Sequence, residues 1–284
     1  MLIRQQPRLV ESVHRAAKIL SLFLEADEDG GLRVSDVARR LKVNKSTASR
    51  LFATLRDAGF VVADRERGCY YVGPAAYALG NRFSGAALAR VVQHIIRDLS
   101  QRTASTAQFG MLQGNRVVFL TVNQGSPRLR LVVRPGDRQY VHASAMGKAI
   151  LAALPGAERD VLIGSMLDAA GRAPGIGPRT LRDPAALRAD ADRTVKRGYS
   201  ISNEESAAGM MGIGAYVANA GGIHTALSVA FPIHQHGADE RPQVASLVVK
   251  AAAAARRLLV PGNSANVAGV KRVTGGRGLH SVSE

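Results

Sequence analysis

Residues 32–73 constrain the fold more tightly than any other stretch of this 284-residue chain. In LRVSDVARRLKV the apolar Val34, Val37, Ala38 and Leu41 recur at helical spacing, and Ser35 is placed to cap the start. The turn Lys42-Val43-Asn44 follows, with Asn44 available to cap a second helix. In KSTASRLFATLRDAGF, Ala48, Leu51, Phe52 and Leu55 obey the i, i+3, i+4, i+7 rule and form one apolar stripe. At about 100° per residue, Ser46 and Arg50 point away from that stripe, with Thr47 and Ser49 on its flanks. A free face of short hydroxyls and a guanidinium suits core packing poorly. It suits a DNA major groove, where such groups reach base edges and phosphates. Gly59 ends the helix, and residues 60–64 and 69–72 then read as strands around the tip Arg65-Glu66-Arg67-Gly68. The pattern is a winged helix-turn-helix, with Ser35, Lys45, Ser46, Thr47, Ser49 and Arg50 as candidate DNA contacts from the helices and Arg65 and Arg67 from the wing. An ordinary helical hairpin is the plain alternative, but it leaves the wing and the polar free face unexplained.

The chain is long enough for two domains, each with its own core. The N-terminus MLIRQQPRLVES lacks the apolar centre of a signal peptide, and no apolar run approaches a membrane span, so a cytoplasmic protein is expected. One cysteine, Cys69, excludes an internal disulfide framework and a multi-cysteine zinc site. The net charge of +16 suggests a polyanionic partner. Its distribution does not locate the contact, since residues 1–83 carry +5 and residues 84–260 carry +9.

Along the chain, residues 1–9 are expected to be disordered and residues 10–74 to form the DNA-binding domain. Its first helix is expected over residues 11–24, with Val13, Ala16, Ala17, Leu20, Phe23 and Leu24 facing inward. Residues 75–87 read as a helical linker, weakest over 80–85, and residues 88–260 as an effector-binding and oligomerisation domain. In that domain residues 106–113 and 116–122 read as strands joined by Gly114-Asn115, a hairpin signal. Further short strands are expected at 129–133 and 139–141, then a helix over 144–154. Asp183-Pro184 opens another helix, closed by Gly198. Strands at 200–202, 212–218 and 224–230 and a helix at 239–259 complete the domain, and residues 261–284 are expected to be a disordered tail. Hairpins mixed with helices argue for an α+β fold with a mainly antiparallel sheet.

From about residue 10 to residue 260 the chain resembles the IclR family of bacterial transcription regulators. The resemblance rests on SVHRAAKILSLF, VSDVARRLKVNKSTASRLFATLRDAGFV and the wing exit YYVGPAAYALG. In the second half it rests on YVHASAMGKAILAALP, PRT followed by DPAALRADADRTVKRGYSISNEES, and ALSVAF. Membership implies a homodimer or tetramer on a palindromic operator, with a GAF-like or profilin-like C-terminal domain that senses a small organic acid. It also implies effector contacts at Ala145, Met146 and Gly147, where unpaired N–H groups at a helix start offer a carboxylate site. The opposite wall would be Ser202, Met210, Gly212, Ser228 and Ala230. Well-known members carry an acidic residue where Ser202 stands, a serine at Ala230 and a polar residue at Met211. Those departures make the pocket less polar and adaptable, and favour an apolar or aromatic carboxylate as effector.

Two other readings were weighed. A constitutive or architectural DNA-binding protein would use the second domain only to oligomerise. An enzyme would need more than Ser144 near His142, which lack a third group to orient them. No nucleophile elbow, P-loop or dinucleotide fingerprint occurs, and no cofactor or metal is expected. His234 and His236 read as solvent-exposed loop residues.

Overall fold

The computed structural model describes residues 10–24, 26, 30–125 and 133–260. It divides into two compact units, Met1–Phe83 and Ser84–Glu284. In the first unit α1 (Glu11–Leu22), α2 (Val34–Leu41) and α3 (Lys45–Asp57) precede a hairpin of β1 (Val61–Asp64) and β2 (Cys69–Val72), and α4 (Pro74–Arg82) closes the unit. The core gathers Ile19, Leu32, Val37, Ala38, Ala48, Phe52, Leu55 and Val61. Phe52 of α3 stacks on Tyr70 of β2 with ring centroids 4.2 Å apart, tying the hairpin to the helix.

Three local expectations are corrected. Ile19 is the buried residue of α1, whereas Val13, Ala17 and Leu24 are exposed; the inward row is Ala16, Ile19, Leu20 and Phe23, one step round the helix from the expected one. Ser35 does not cap α2, because the helix begins at Val34 and Arg33 holds the cap position. Asn44 does occupy the cap position of α3, but its side chain makes no capping hydrogen bond. The helix beyond the wing runs unbroken through Gly80 to Arg82.

The second unit starts with α5 (Ser84–Thr103) and continues through β3 (Thr106–Gln113), β4 (Arg116–Asn123) and β5 (Arg138–Tyr140). Then come α6 (Ala145–Ala153), α7 (Gly156–Gly164), α8 (Pro184–Arg197), β6 (Ser200–Asn203), β7 (Met210–Ala220), β8 (Ile223–Pro232) and α9 (Arg241–Leu259). The six strands form one antiparallel sheet in the order β5-β4-β3-β8-β7-β6. Period-two alternation sorts its side chains. Ala107, Phe109, Met211, Ile213, Leu227, Val229 and Phe231 pack with α5 and α9 on one face. Helices α6 and α7 and Leu187 of α8 pack with Val117, Phe119 and Ala226 on the other. Asp183 caps α8 by accepting from the Ala186 N–H at 2.9 Å, and Gly198 ends it at φ +81°. Helix α7 was not expected from the sequence. The strand expected at 129–133, and the tails at 1–9 and 261–284, fall almost wholly outside the described residues. Among the described residues, no helix is long and apolar enough to cross a membrane.

Candidate nucleic-acid interface and ligand cavity

Helix α3 buries Ala48, Phe52 and Leu55 and leaves Lys45, Ser46, Ser49 and Arg50 exposed, with Thr47 half-buried at the edge. The exposed side is therefore hydroxyls and two cations, held rigid by the aromatic stack beneath. At the hairpin tip the Asp64 carboxylate accepts the Glu66 and Arg67 N–H groups at 3.0 and 3.1 Å. That turn shapes the tip and leaves Arg65 exposed. The Arg67 guanidinium lies 3.9 Å from Asp64, so part of its charge is balanced locally. Ser35 is exposed in the first turn of α2.

In the second unit two rungs of the sheet face α6. Register aligns Thr106, Ala230, Gly212 and Ser202 on one rung and Gln108, Ser228, Gly214 and Ser200 on the next. The small residues on these rungs let the head of α6 sit directly on the strands. A Cβ on Gly214 would meet the Ala145 backbone at 2.7 Å, and one on Gly212 would meet the Ala145 Cβ at 3.1 Å. Between α6 and the sheet lies a cavity of about 70 Å³. Six of the expected contacts line it: Ala145, Ser202, Met210, Gly212, Ser228 and Ala230. The other two stand elsewhere. Met146 is buried in the core beneath α6, and a Cβ on Gly147 would meet the Val141 carbonyl at 2.3 Å, so that glycine serves close packing. Gln108, Gln139, Ser206, Ala207 and Met211 also line the cavity and were not singled out from the sequence. Alternation along TAQFGMLQ was the available signal for Gln108, since it is the polar residue on the face opposite Ala107 and Phe109.

The lining carries no charged side chain. Its hydrogen-bonding groups are hydroxyls, amides and the head of α6. Ser202 donates to the Ala143 carbonyl at 2.7 Å, and Ser228 lies 3.3 Å from Gln108 Oε1. Ser144 caps α6 by accepting the Gly147 N–H at 3.1 Å. His142 turns its Nε2 to the Pro174 carbonyl at 2.9 Å instead of to Ser144. Burial lowers the His142 pKa, and the charges of Arg116 and Lys148 push the same way against that hydrogen bond. A neutral imidazole engaged in this way is no general base for Ser144. His236 corrects a further expectation. Its side chain is only 14% exposed, packed edge-on against Phe231 and within 3.0 Å of Ser105 Oγ.

Beside the cavity is a buried ionic cluster. The Lys148 ammonium, 3% exposed, is 3.0 Å from Asp190 and still closer to Glu205, and Asp190 also holds Arg193 at 3.1 Å. Lys148 lies one turn beyond Ala145, and Glu205 immediately precedes Ser206 and Ala207, so the cluster joins two walls of the cavity. Burial raises the Glu205 pKa, Lys148 opposes the rise, and Asp190 adds to it. A carboxyl that takes a proton more readily when folded stabilises the fold at acidic pH. That contribution is lost as pH rises from the unfolded carboxylate value through the folded one. Glu205→Gln is accordingly expected to flatten the fall in thermal stability across that window. A variant profile parallel to that of the parent would contradict this.

With both geometries described, comparison with known proteins decides the family. The model of the bacterial transcriptional regulator IclR C-terminal domain matches residues 81–257, and that of the IclR helix-turn-helix domain matches residues 12–65. The chain belongs to the IclR family. It is an IclR-type transcriptional regulator, 32% identical over 225 residues to the HTH-type transcriptional regulator BhcR of Paracoccus denitrificans, covering 78% of each chain. It is 28% identical over 251 residues to the transcriptional repressor IclR of Escherichia coli, covering 86% of this chain and 88% of that one. The IclR regulator of Alicyclobacillus acidocaldarius superposes with a TM-score of 0.73 at 21% identity, over 89% of this chain and all of that one. An IclR homologue of Microbacterium hydrocarbonoxydans, solved with 4-hydroxybenzoate, superposes at 0.72 with 24% identity, over 88% of this chain and 99% of that one. These likenesses establish the winged helix-turn-helix and the antiparallel effector domain as the IclR fold.

Proposed function

We propose that this IclR regulator binds a palindromic operator as a dimer or dimer of dimers, and that a small organic acid in the second unit changes its grip on DNA. The observation that carries the reading is the division of α3 into a buried apolar face and an exposed side of Ser46, Ser49 and Arg50. Two such helices in a symmetric oligomer would enter successive major-groove faces roughly 34 Å apart or a multiple of that distance. Arg65 and Arg67 would hold phosphates beside the groove. Alanine at either wing position should weaken binding evenly across sequences and reduce the salt slope by about one. Sequence-selective loss would argue against a phosphate role.

The uncharged cavity supports a ligand whose carboxylate is held by neutral donors and the head of α6. The neighbour that carries 4-hydroxybenzoate supports an aromatic acid. At about 70 Å³ the cavity is smaller than the roughly 150 Å³ that admits benzene, so a ring needs Met210 and Met211 to move aside. The coupling between ligand and operator is expected to be about 1–3 kcal/mol. Gel shifts on DNA flanking this gene, run with and without a panel of small aliphatic and aromatic acids, test the reading. No acid-dependent change in any fragment would favour a constitutive DNA-binding protein. Gly212→Val should abolish ligand response while sparing DNA binding, because its side chain would fill the cavity against Ala145. As a sensor the protein consumes no ligand, and the acid should be recovered unchanged after incubation. The reading sets the protein in the cytoplasm, where its operator lies.

A further inference from the structure

We infer that the ligand of this cavity is a hydroxylated carboxylic acid, a molecule that donates a hydrogen bond as well as accepting several. The inference rests on the sensor reading above and adds the chemical class. Ser202 is 2% exposed, and its hydroxyl lies 2.7 Å from the Ala143 carbonyl. A carbonyl only accepts, so the single Ser202 proton is committed and the oxygen offers the cavity lone pairs alone. Gln108 and Ser228, each 3% exposed, face one another at 3.3 Å. If the Ser228 hydroxyl donates to Oε1, the Gln108 NH2 is a free donor and the Ser228 oxygen a free acceptor. If the amide is turned over, the Ser228 O–H is the free donor and the Gln108 carbonyl the free acceptor. Either way the pair presents one of each.

The donors gather where α6 begins. The N–H groups of Ala145 and Met146 have no backbone partner among the described residues, and the Ser144 side chain takes the third N–H, of Gly147. A carboxylate fits there, favoured by the helix dipole, since no cationic side chain lines the cavity. A plain acid would satisfy that end and leave the buried Ser202 lone pairs facing an apolar body. An acid carrying a hydroxyl satisfies both ends, and leaving a buried acceptor unpaired is costly.

Calorimetry on the full chain with two matched pairs, lactate against propionate and 4-hydroxybenzoate against benzoate, tests this. The hydroxylated member of the pair that fits should bind about tenfold tighter or more. Ser202→Ala should shrink the preference to within about threefold by raising the affinity gap only for the hydroxy acid. Ser228→Ala gives the same readout if Ser202→Ala fails to fold. Equal binding of both members in the parent, or a preference unchanged in both variants, would overturn the inference and leave the sensor reading intact. Failure of all four acids to bind at millimolar concentration would also overturn it. A hydroxy acid that binds with the stated preference but leaves operator affinity unchanged would instead sink the sensor reading alone.

Discussion

Lys148→Ala is expected to destabilise the second unit by about 3–5 kcal/mol, read as a lowered midpoint in thermal or urea unfolding. The size follows from what the substitution leaves behind. Lys148 is the ammonium between Asp190 and Glu205, and all three side chains are withdrawn from water. Asp190 keeps Arg193, which is largely exposed, but Glu205 loses its one cationic partner among the described residues. Its second oxygen, Oε2, is already buried without a hydrogen bond. The uncompensated carboxylate must then take up a proton or draw in water, and either disturbs the segment that carries Ser206 and Ala207. Lys148→Met combined with Glu205→Gln should recover much of the loss, because both members of the pair become neutral. A single variant within about 1 kcal/mol of the parent would mean that water already reaches the cluster.

Arg50→Ala should lower operator affinity by about tenfold to more than a hundredfold, corresponding to roughly 1–3 kcal/mol, and should relax discrimination at the base pair it contacts. The fold should be untouched. Arg50 is exposed, and the local bond it enters uses its backbone carbonyl, which accepts the Thr54 hydroxyl at 3.1 Å. Anisotropy titrations on operator and scrambled duplexes separate this result from the even losses expected at Arg65 and Arg67. Full-strength, fully selective binding by Arg50→Ala would show that α3 does not dock through this side.

The elements legible in the sequence were those whose signals are local. The apolar stripe of α3, the Asp183-Pro184 start of α8 and the Gly114-Asn115 turn each declare themselves within a dozen residues. The inward face of α1 was misjudged because Val13, Ala17 and Leu24 also fit a helical stripe. Only packing against α3 chooses Ile19 over them. Helix α7 was missed because GAERDVLIG opens and ends in glycine, a signal of breaks more than of a helix. His236 looked solvated in isolation, yet Phe231 and Ser105 enclose it from segments five and more than a hundred residues away.

The cavity divides the same way. Resemblance of motifs marked out Ala145, Ser202, Gly212, Ser228 and Ala230, whereas Gln108, Gln139 and Ser206 come from segments that no short motif connects. What the residue order determined by itself was helical period, strand alternation and capping, because these depend on neighbours within a few positions. Which polar atoms face one another, which hydroxyl protons are already committed and which lysine is sealed between two acids were decided only by tertiary structure. Strand register and helix docking bring together groups up to about 120 residues apart, and no local pattern encodes their distance.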